Sequence, residues 1–295
     1  MSDELITAIL PESDLRLIVC TGTGMAREAR RIQDAHPASA AVLAQGLTAG
    51  VMVAALQKHK QRVNLQLECS GPLRGMFIDA DNEGTARGYV KVPHLDYTGN
   101  PGLFEWRPVF GNSGILSVLR DQGNGEVYRS SVELKAFELS QDLESYFRVS
   151  DQVESRIALE VLPREGEPIG AVAGLLLQPF PTGDRAALEA HGKRIREGGL
   201  LRRALEANPN AGASELLRMI FPESMPDVTA RVPVAYRCTC DRDRVVRALL
   251  SVGREELEDI LKKEGKAEMT CQFCLTRYMV EGDEIRGHLA KAADD

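Results

Sequence analysis

The sequence predicts an α+β protein in three parts: an N-terminal mixed domain with a mainly antiparallel sheet packed by helices (1–180), a helical linker (181–232) and a small C-terminal module (233–295). Three observations predict it. Between residues 62 and 134 apolar side chains recur at every second position between turn signals. Residues 25–56 carry apolar residues at helical spacing. Four of the six cysteines stand near the end as Cys238-Thr-Cys240 and Cys271-Gln-Phe-Cys274.

Taken in order, residues 15–20 (LRLIVC) read as a strand, and Thr21-Gly-Thr-Gly24 as a turn, too short for the glycine-rich fingerprint of a dinucleotide site. A helix follows over 25–35, and Pro37 starts a second. In that helix Val42, Leu43, Leu47, Val51 and Leu56 share a face, and Ala49, Gly50, Ala54 and Ala55 permit close packing. Val63, Leu65, Leu67 and Cys69 alternate with polar residues. Ser70-Gly-Pro72 and Asp81-Asn-Glu-Gly84 then turn the chain through strands at 74–78 and 86–92. A Pro- and Gly-rich loop (93–108) holds the single tryptophan, Trp106, read as a packing residue, and a further hairpin spans 114–119 and 127–134. Residues 139–149 have helical spacing, and 157–162 with 169–177 read as a buried strand pair.

Pro179-Phe-Pro-Thr-Gly183 marks the boundary to the linker. Residues 184–206 read as one helix with a thin apolar stripe, carrying Gly192, Gly198 and Gly199 at roughly 1 kcal/mol each in a helix interior. A short apolar helix over 214–221 follows, stopped by Pro222. In the last module Asp241 caps a helix over 242–252, and Gly265 ends a second over 255–264. Leu249, Leu250, Leu257, Ile260 and Leu261 supply only a very small core.

A C-x-C and a C-x-x-C each put two thiolates on a short turn, and the thirty intervening residues allow the pairs to converge. Four soft sulfur donors in a tetrahedron select zinc or iron, and zinc fits best, so Cys238, Cys240, Cys271 and Cys274 are the candidate ligands of one Zn2+ per chain. Arg237, Arg242 and Arg277 are candidates to offset the charge of four thiolates. With so small a core, the module should depend on the metal for its fold. Cys20 and Cys69 lie in strand-like runs and read as small buried hydrophobes.

Composition excludes some functions. With 43% hydrophobic residues the chain supports an ordinary core, while 36 Lys plus Arg against 43 Asp plus Glu argue against a general nucleic-acid binder. The first residues lack the basic and apolar regions of a secretory signal, and no apolar run is expected to approach the 18 residues of a membrane helix. A cytoplasmic protein with reduced thiols is expected. Neither a G-x-S-x-G, a P-loop nor an H-E-x-x-H occurs, and His36, His59, His94, His191 and His288 are scattered, so no enzyme is expected. Two alternatives keep the zinc module purely structural. An enzyme would need a convergent polar pocket, and a nucleic-acid binder would need basic residues where Glu255, Glu256, Glu258, Asp259 and Glu264 stand.

At these residues the sequence closely resembles the 33 kDa chaperonin family, the redox-regulated heat-shock holdases of bacteria. The resemblance rests on Cys238-Thr-Cys240 with Asp-Arg-Asp-Arg after it, Leu249-Leu-Ser-Val-Gly253, Glu256-Leu-Glu-Asp-Ile-Leu261 and Cys271-Gln-Phe-Cys274 with Tyr278. Gly111-Asn-Ser-Gly114, Asp142-Leu-Glu-Ser-Tyr146, Ser150-Asp-Gln152 and 173–178 (AGLLLQ) extend it over nearly the whole chain. Asp241, Asp151 and Ser130 depart from the family's usual Ser, Glu and Gly, and none is a candidate ligand.

The resemblance implies a chaperone that works without ATP, inactive while reduced and zinc-bound. Oxidation then forms disulfides, releases zinc, unfolds the module and linker, and exposes apolar surface to unfolding client proteins, with homodimers in the active state. It also implies the pairings Cys238 with Cys240 and Cys271 with Cys274, and cysteines so close in sequence reach bonding distance without moving the rest of the chain. Leu200, Leu201, Leu205, Leu216, Leu217, Ile220 and Phe221 are the candidate client-binding residues of the released linker. No nucleic-acid or membrane partner is expected.

Overall fold

The computed structural model describes residues 2–57, 61–97, 106–121 and 126–287, so His59, His288 and parts of the loops expected over 93–108 and 121–125 lie outside the described residues. In chain order the elements are β1 (Glu4–Leu10), β2 (Leu15–Thr21), α1 (Thr23–Gln33), α2 (Pro37–Ala54), β3 (Arg62–Cys69), β4 (Gly75–Asp81), β5 (Thr85–Val90), α3 (Arg107–Phe110), β6 (Gly114–Asp121) and β7 (Val127–Glu133). Then come α4 (Leu139–Tyr146) with a π-turn at Phe147–Asp151, β8 (Arg156–Arg164), β9 (Glu167–Pro179), α5 (Arg185–Arg196), α6 (Leu200–Ala207) and α7 (Ala213–Ile220). The chain ends with β10 (Asp227–Pro233), β11 (Ala235–Tyr236), α8 (Arg242–Leu250), α9 (Arg254–Glu264), β12 (Lys266–Thr270) and β13 (Arg277–Glu281).

The architecture is α+β. Contacts divide the chain into two units, 1–237 and 238–295. The first holds a five-stranded sheet of order β10-β1-β2-β9-β8 and a six-stranded sheet of order β11-β5-β4-β3-β6-β7. The ladders are antiparallel apart from the two-residue pairing of β11 with β5. The period-two run thus forms consecutive antiparallel strands, as its turns predict.

Helix α2 lies between the sheets, against β2, β8 and β9 on one side and β3, β4 and β5 on the other. It is buried at all but Pro37 and Ala41. Its backbone comes so near β4 that a Cβ on Gly50 would stand 2.7 Å from Ile78 Cγ2. This helix corrects the expectation that nothing approaches a membrane span: its 18 residues have a mean hydropathy of 1.4. Ser39, Gln45 and Thr48 interrupt the apolar run in sequence, yet each finds a carbonyl partner, in Val92, Leu159 and Ala44. The apolar character serves burial on every face.

The five-stranded sheet is covered on both faces, which explains its unbroken apolar runs. Alternation splits β1, β2 and β9 between two cores: Leu5, Ile18, Cys20 and Leu176 face α2, while Ile6, Leu17, Val19, Leu175 and Leu177 face α5, α6 and α7. Of the residues read as a linker, α5, α6 and α7 are therefore the second layer of this sheet, and β10 is its edge strand. They are also held by ion pairs: Arg196 to Glu144 at 2.6 Å, Arg202 to Glu160 at 3.1 Å and Glu189 to Arg156 at 2.5 Å.

Residues 184–206 are not one helix. Asp184 caps α5 by accepting from the N–H groups of Ala186 and Ala187, and the chain breaks before α6 at Gly199, which has φ +52°. A Cβ on Gly198 would stand 2.5 Å from the Arg194 carbonyl oxygen. Neither glycine sits in a helix interior, so the expected propensity penalty of about 1 kcal/mol applies at most to Gly192. The tandem glycines are a required turn, and alanine there would introduce strain.

Five strands escaped the sequence reading: β1, β10, β11, β12 and β13. Strand β10 lies at the sheet edge and is exposed at nearly every position, although Val228, Ala230 and Val232 alternate with polar residues in its sequence. Several family-like motifs prove to be internal staples. The Asp142 carboxylate accepts from the backbone N–H groups of Lys135, Ala136 and Glu138, and Asp151 pairs with Arg120. Gly111, at φ +82°, lets its backbone meet Gly71. Trp106 packs against Phe110, ring centroids 5.5 Å apart.

Candidate metal centre

The second unit is small. Its core consists of Val245, Val246, Leu249, Leu257, Leu261, Ala267, Val280 and Ile285. Two turns project cysteines from its edges. The first, Cys238-Thr-Cys240, runs into α8, where the Asp241 carboxylate caps the helix by accepting from Arg244 N–H at 2.7 Å. The Arg244 guanidinium donates back to the Thr239 carbonyl at 2.7 Å and hydroxyl at 2.8 Å, clamping the loop.

The second turn joins β12 to β13, whose register sets Thr270 opposite Arg277 and Met269 opposite Tyr278. Leu275 N–H donates to the Cys271 carbonyl at 2.8 Å and Cys271 N–H to the Thr276 carbonyl at 3.0 Å, closing the turn with Leu275 at φ +56°.

The four cysteine sulfurs lie within 4.8 Å of one another, the one group of this kind among the described residues. Cys238 and Cys271 sulfurs are 3.7 Å apart and those of Cys240 and Cys274 3.3 Å. A tetrahedron with metal–sulfur bonds near 2.3 Å has edges of about 3.8 Å, so this donor set fits one ion of the size and softness of zinc. All four are free cysteines. The closest sulfurs belong to different turns, so pairing within each turn requires the cluster to rearrange.

Among the thiols, burial pushes Cys240 up to about 12, opposed by the Tyr278 hydroxyl 3.1 Å from its sulfur and supported by the neighbouring cysteines. Burial also raises Cys271. At Cys274 burial pulls upward too, but hydrogen bonding from Thr276 and its cysteine neighbours prevails and brings it down to about 7.

Of the arginines expected to offset thiolate charge, Arg242 is engaged by Glu284 at 2.6 Å and Arg277 lies 3.9 Å from Glu268. The hydroxyl of Tyr278 lies 3.1 Å from Cys240 Sγ and that of Thr276 3.2 Å from Cys274 Sγ. Sequence reasoning carried Tyr278 only as part of a motif and passed over Thr276. A hydroxyl set by strand register leaves no spacing signal.

Cys20 is fully buried and Cys69 half-buried, and burial drives both thiols away from the reactive thiolate. The candidate client-binding residues come together in one cluster on the five-stranded sheet: Leu201, Leu205, Leu216, Leu217, Ile220 and Phe221 are at most 4% exposed, and Leu200 is partly buried. Any contact with a client requires these helices to leave the sheet.

A family model described as Hsp33 protein matches residues 3–281. A 33 kDa chaperonin of Geobacter sp. (strain M21) is 31% identical over 293 residues, 99% of either chain. One from Halalkalibacterium halodurans is 30% identical, covering 97% of this chain and 98% of its own. The crystal structure of the 33 kDa chaperonin (heat shock protein 33 homolog) of Thermotoga maritima superimposes with a TM-score of 0.81 at 26% identity, over 100% of both chains.

Proposed function

The chain belongs to the Hsp33 protein family of bacterial chaperones, a non-enzymatic class that binds unfolded proteins, and from that premise we propose that it is a redox-regulated, ATP-independent holdase. One observation carries the reading: four sulfurs able to hold one metal ion stand in a unit whose core has eight buried apolar residues among the described residues. Bound zinc supplies a cross-link among four thiolates, a contribution of order 10 kcal/mol to a fold of this size.

In the proposal, Cys238, Cys240, Cys271 and Cys274 hold Zn2+ as thiolates in a reducing cytoplasm. Each cysteine pair gives up two electrons to one peroxide molecule and closes a disulfide, Cys238 with Cys240 and Cys271 with Cys274. Sulfurs bonded to each other no longer hold the ion. The second unit then loses its cross-link and unfolds, and residues 181–232 leave the sheet. Leu200, Leu201, Leu205, Leu216, Leu217, Ile220 and Phe221, with the sheet face bearing Leu17, Val19, Leu175 and Leu177, become the client surface of a homodimer. Nucleic acid and membrane play no part in this reading.

The test follows zinc with a colorimetric chelator alongside suppression of aggregation of a denatured test protein, before and after peroxide. Zinc release and aggregation suppression should rise together. Suppression at full strength in the reduced, zinc-bound protein would refute the redox switch.

A further inference from the structure

The Tyr278 hydroxyl lies 3.1 Å from Cys240 Sγ, and strand register holds it there. Tyr278 stands on β13 opposite Met269, and both rest against the small core of the second unit. The phenol cannot swing away without breaking that packing.

Resting on the zinc reading above, we propose that Tyr278 is a positioning residue whose hydroxyl donates to the Cys240 thiolate of the metal-loaded centre and slows oxidation of that sulfur. Four thiolates on a divalent ion keep a net charge of −2, and the Tyr278 hydroxyl stands 3.1 Å from one of the sulfurs and the Thr276 hydroxyl 3.2 Å from another. An O–H donor to an anionic sulfur is a charge-assisted bond that stabilises the sulfur lone pair. The same lone pair attacks peroxide: the sulfur–oxygen bond forms as the O–O bond breaks, leaving a sulfenic acid and hydroxide. A second thiolate, that of Cys238, then attacks the sulfenic sulfur, closing the disulfide and expelling a second hydroxide. Two electrons pass to one peroxide. A donor that holds the lone pair makes the first attack slower, so Tyr278 sets the threshold at which the centre responds.

The test is Tyr278→Phe, which keeps the ring and removes only the hydroxyl, with Co2+ as the optical probe. The Phe protein should bind one Co2+ per chain, show its sulfur-to-metal band at lower energy than wild type, and release Zn2+ to peroxide on the order of fivefold faster, the value of one ordinary hydrogen bond. A second arm replaces tyrosine by 3-fluorotyrosine, a stronger donor, throughout the chain. Its band should move to higher energy and its release should slow, an opposition of sign that altered packing does not produce. An unchanged band and release rate in the Phe protein, or fluorotyrosine shifts in the same direction as Phe, would overturn the proposal. A wild-type protein with no tetrahedral Co2+ spectrum would instead overturn the metal reading itself.

Discussion

Replacing Leu216 by Ala probes whether the helical layer on the five-stranded sheet is the guarded surface. Leu216 lies on α7, is 0% exposed, and belongs to the cluster formed by α5, α6, α7 and the sheet face. Truncating so buried a leucine costs about 3 to 5 kcal/mol, most of it as a cavity the neighbours cannot close. Segments open locally at free energies below the global value of roughly 5–15 kcal/mol. If the loss falls on the opening of 185–220, the open population rises by roughly a hundredfold to a few thousandfold, since each 1.4 kcal/mol is about a factor of ten. Hydrogen exchange of the reduced, metal-loaded variant should then show lost protection across 185–220 with the six-stranded sheet unchanged. The same sample should suppress aggregation of a denatured test protein without oxidant. Lost protection across 185–220 with metal retained and no suppression would refute the reasoning, because an uncovered sheet face would not then be a client surface.

Gly199→Ala should destabilise the α5–α6 turn by about 1 kcal/mol, read as a lower oxidant dose for activation, because Gly199 has φ +52°; a higher dose would contradict the turn geometry. Metal analysis should find no zinc in Cys271→Ser and about one per chain in Cys20→Ser and Cys69→Ser, and full zinc in Cys271→Ser would sink the ligand assignment. With Cys240 at about 12 and Cys271 raised, metal binding at neutral pH must expel at least two protons. Zinc affinity by chelator competition should therefore rise at least roughly a hundredfold per pH unit above pH 7, and more steeply below it, where Cys274 at about 7 also binds a proton. His191 meets Phe221 edge to face with Arg194 and Glu12 nearby, and burial first, then Arg194, lowers its pKa from 6.5. Its stabilising contribution is thus full above pH 6.5 and lost as pH falls through that value toward the lowered one. Protection of α5 should drop on acidification in wild type and less so in His191→Gln.

The metal centre was legible because its chemistry is local: C-x-C and C-x-x-C declare themselves in a few residues, and Asp241 and Gly265 mark the ends of α8 and α9 by rules that act within one turn. The period-two run was legible for the same reason at β3 and β5, where one face of the strand is buried and the other is not. Where both faces are buried, as in β9, alternation carries no message, and in β10 the alternating Val228, Ala230 and Val232 stand in a strand exposed at nearly every position. The role of 181–232 was illegible for a further reason. Composition showed a thin-striped, glycine-bearing helix, but only the fold pairs Leu201, Leu205, Leu216 and Ile220 with a second apolar face of the sheet and sets Arg196 and Arg202 beside Glu144 and Glu160. Residues 184–206 became two helices because Gly199 takes a left-handed conformation that propensity alone does not foresee. Sequence by itself determined the four-cysteine cluster and the strands of the period-two run, which depend on spacing along the chain. Only the tertiary structure decided what the helices cover and which hydroxyls face the sulfurs, because those contacts join residues that the sequence holds far apart or on opposite strands.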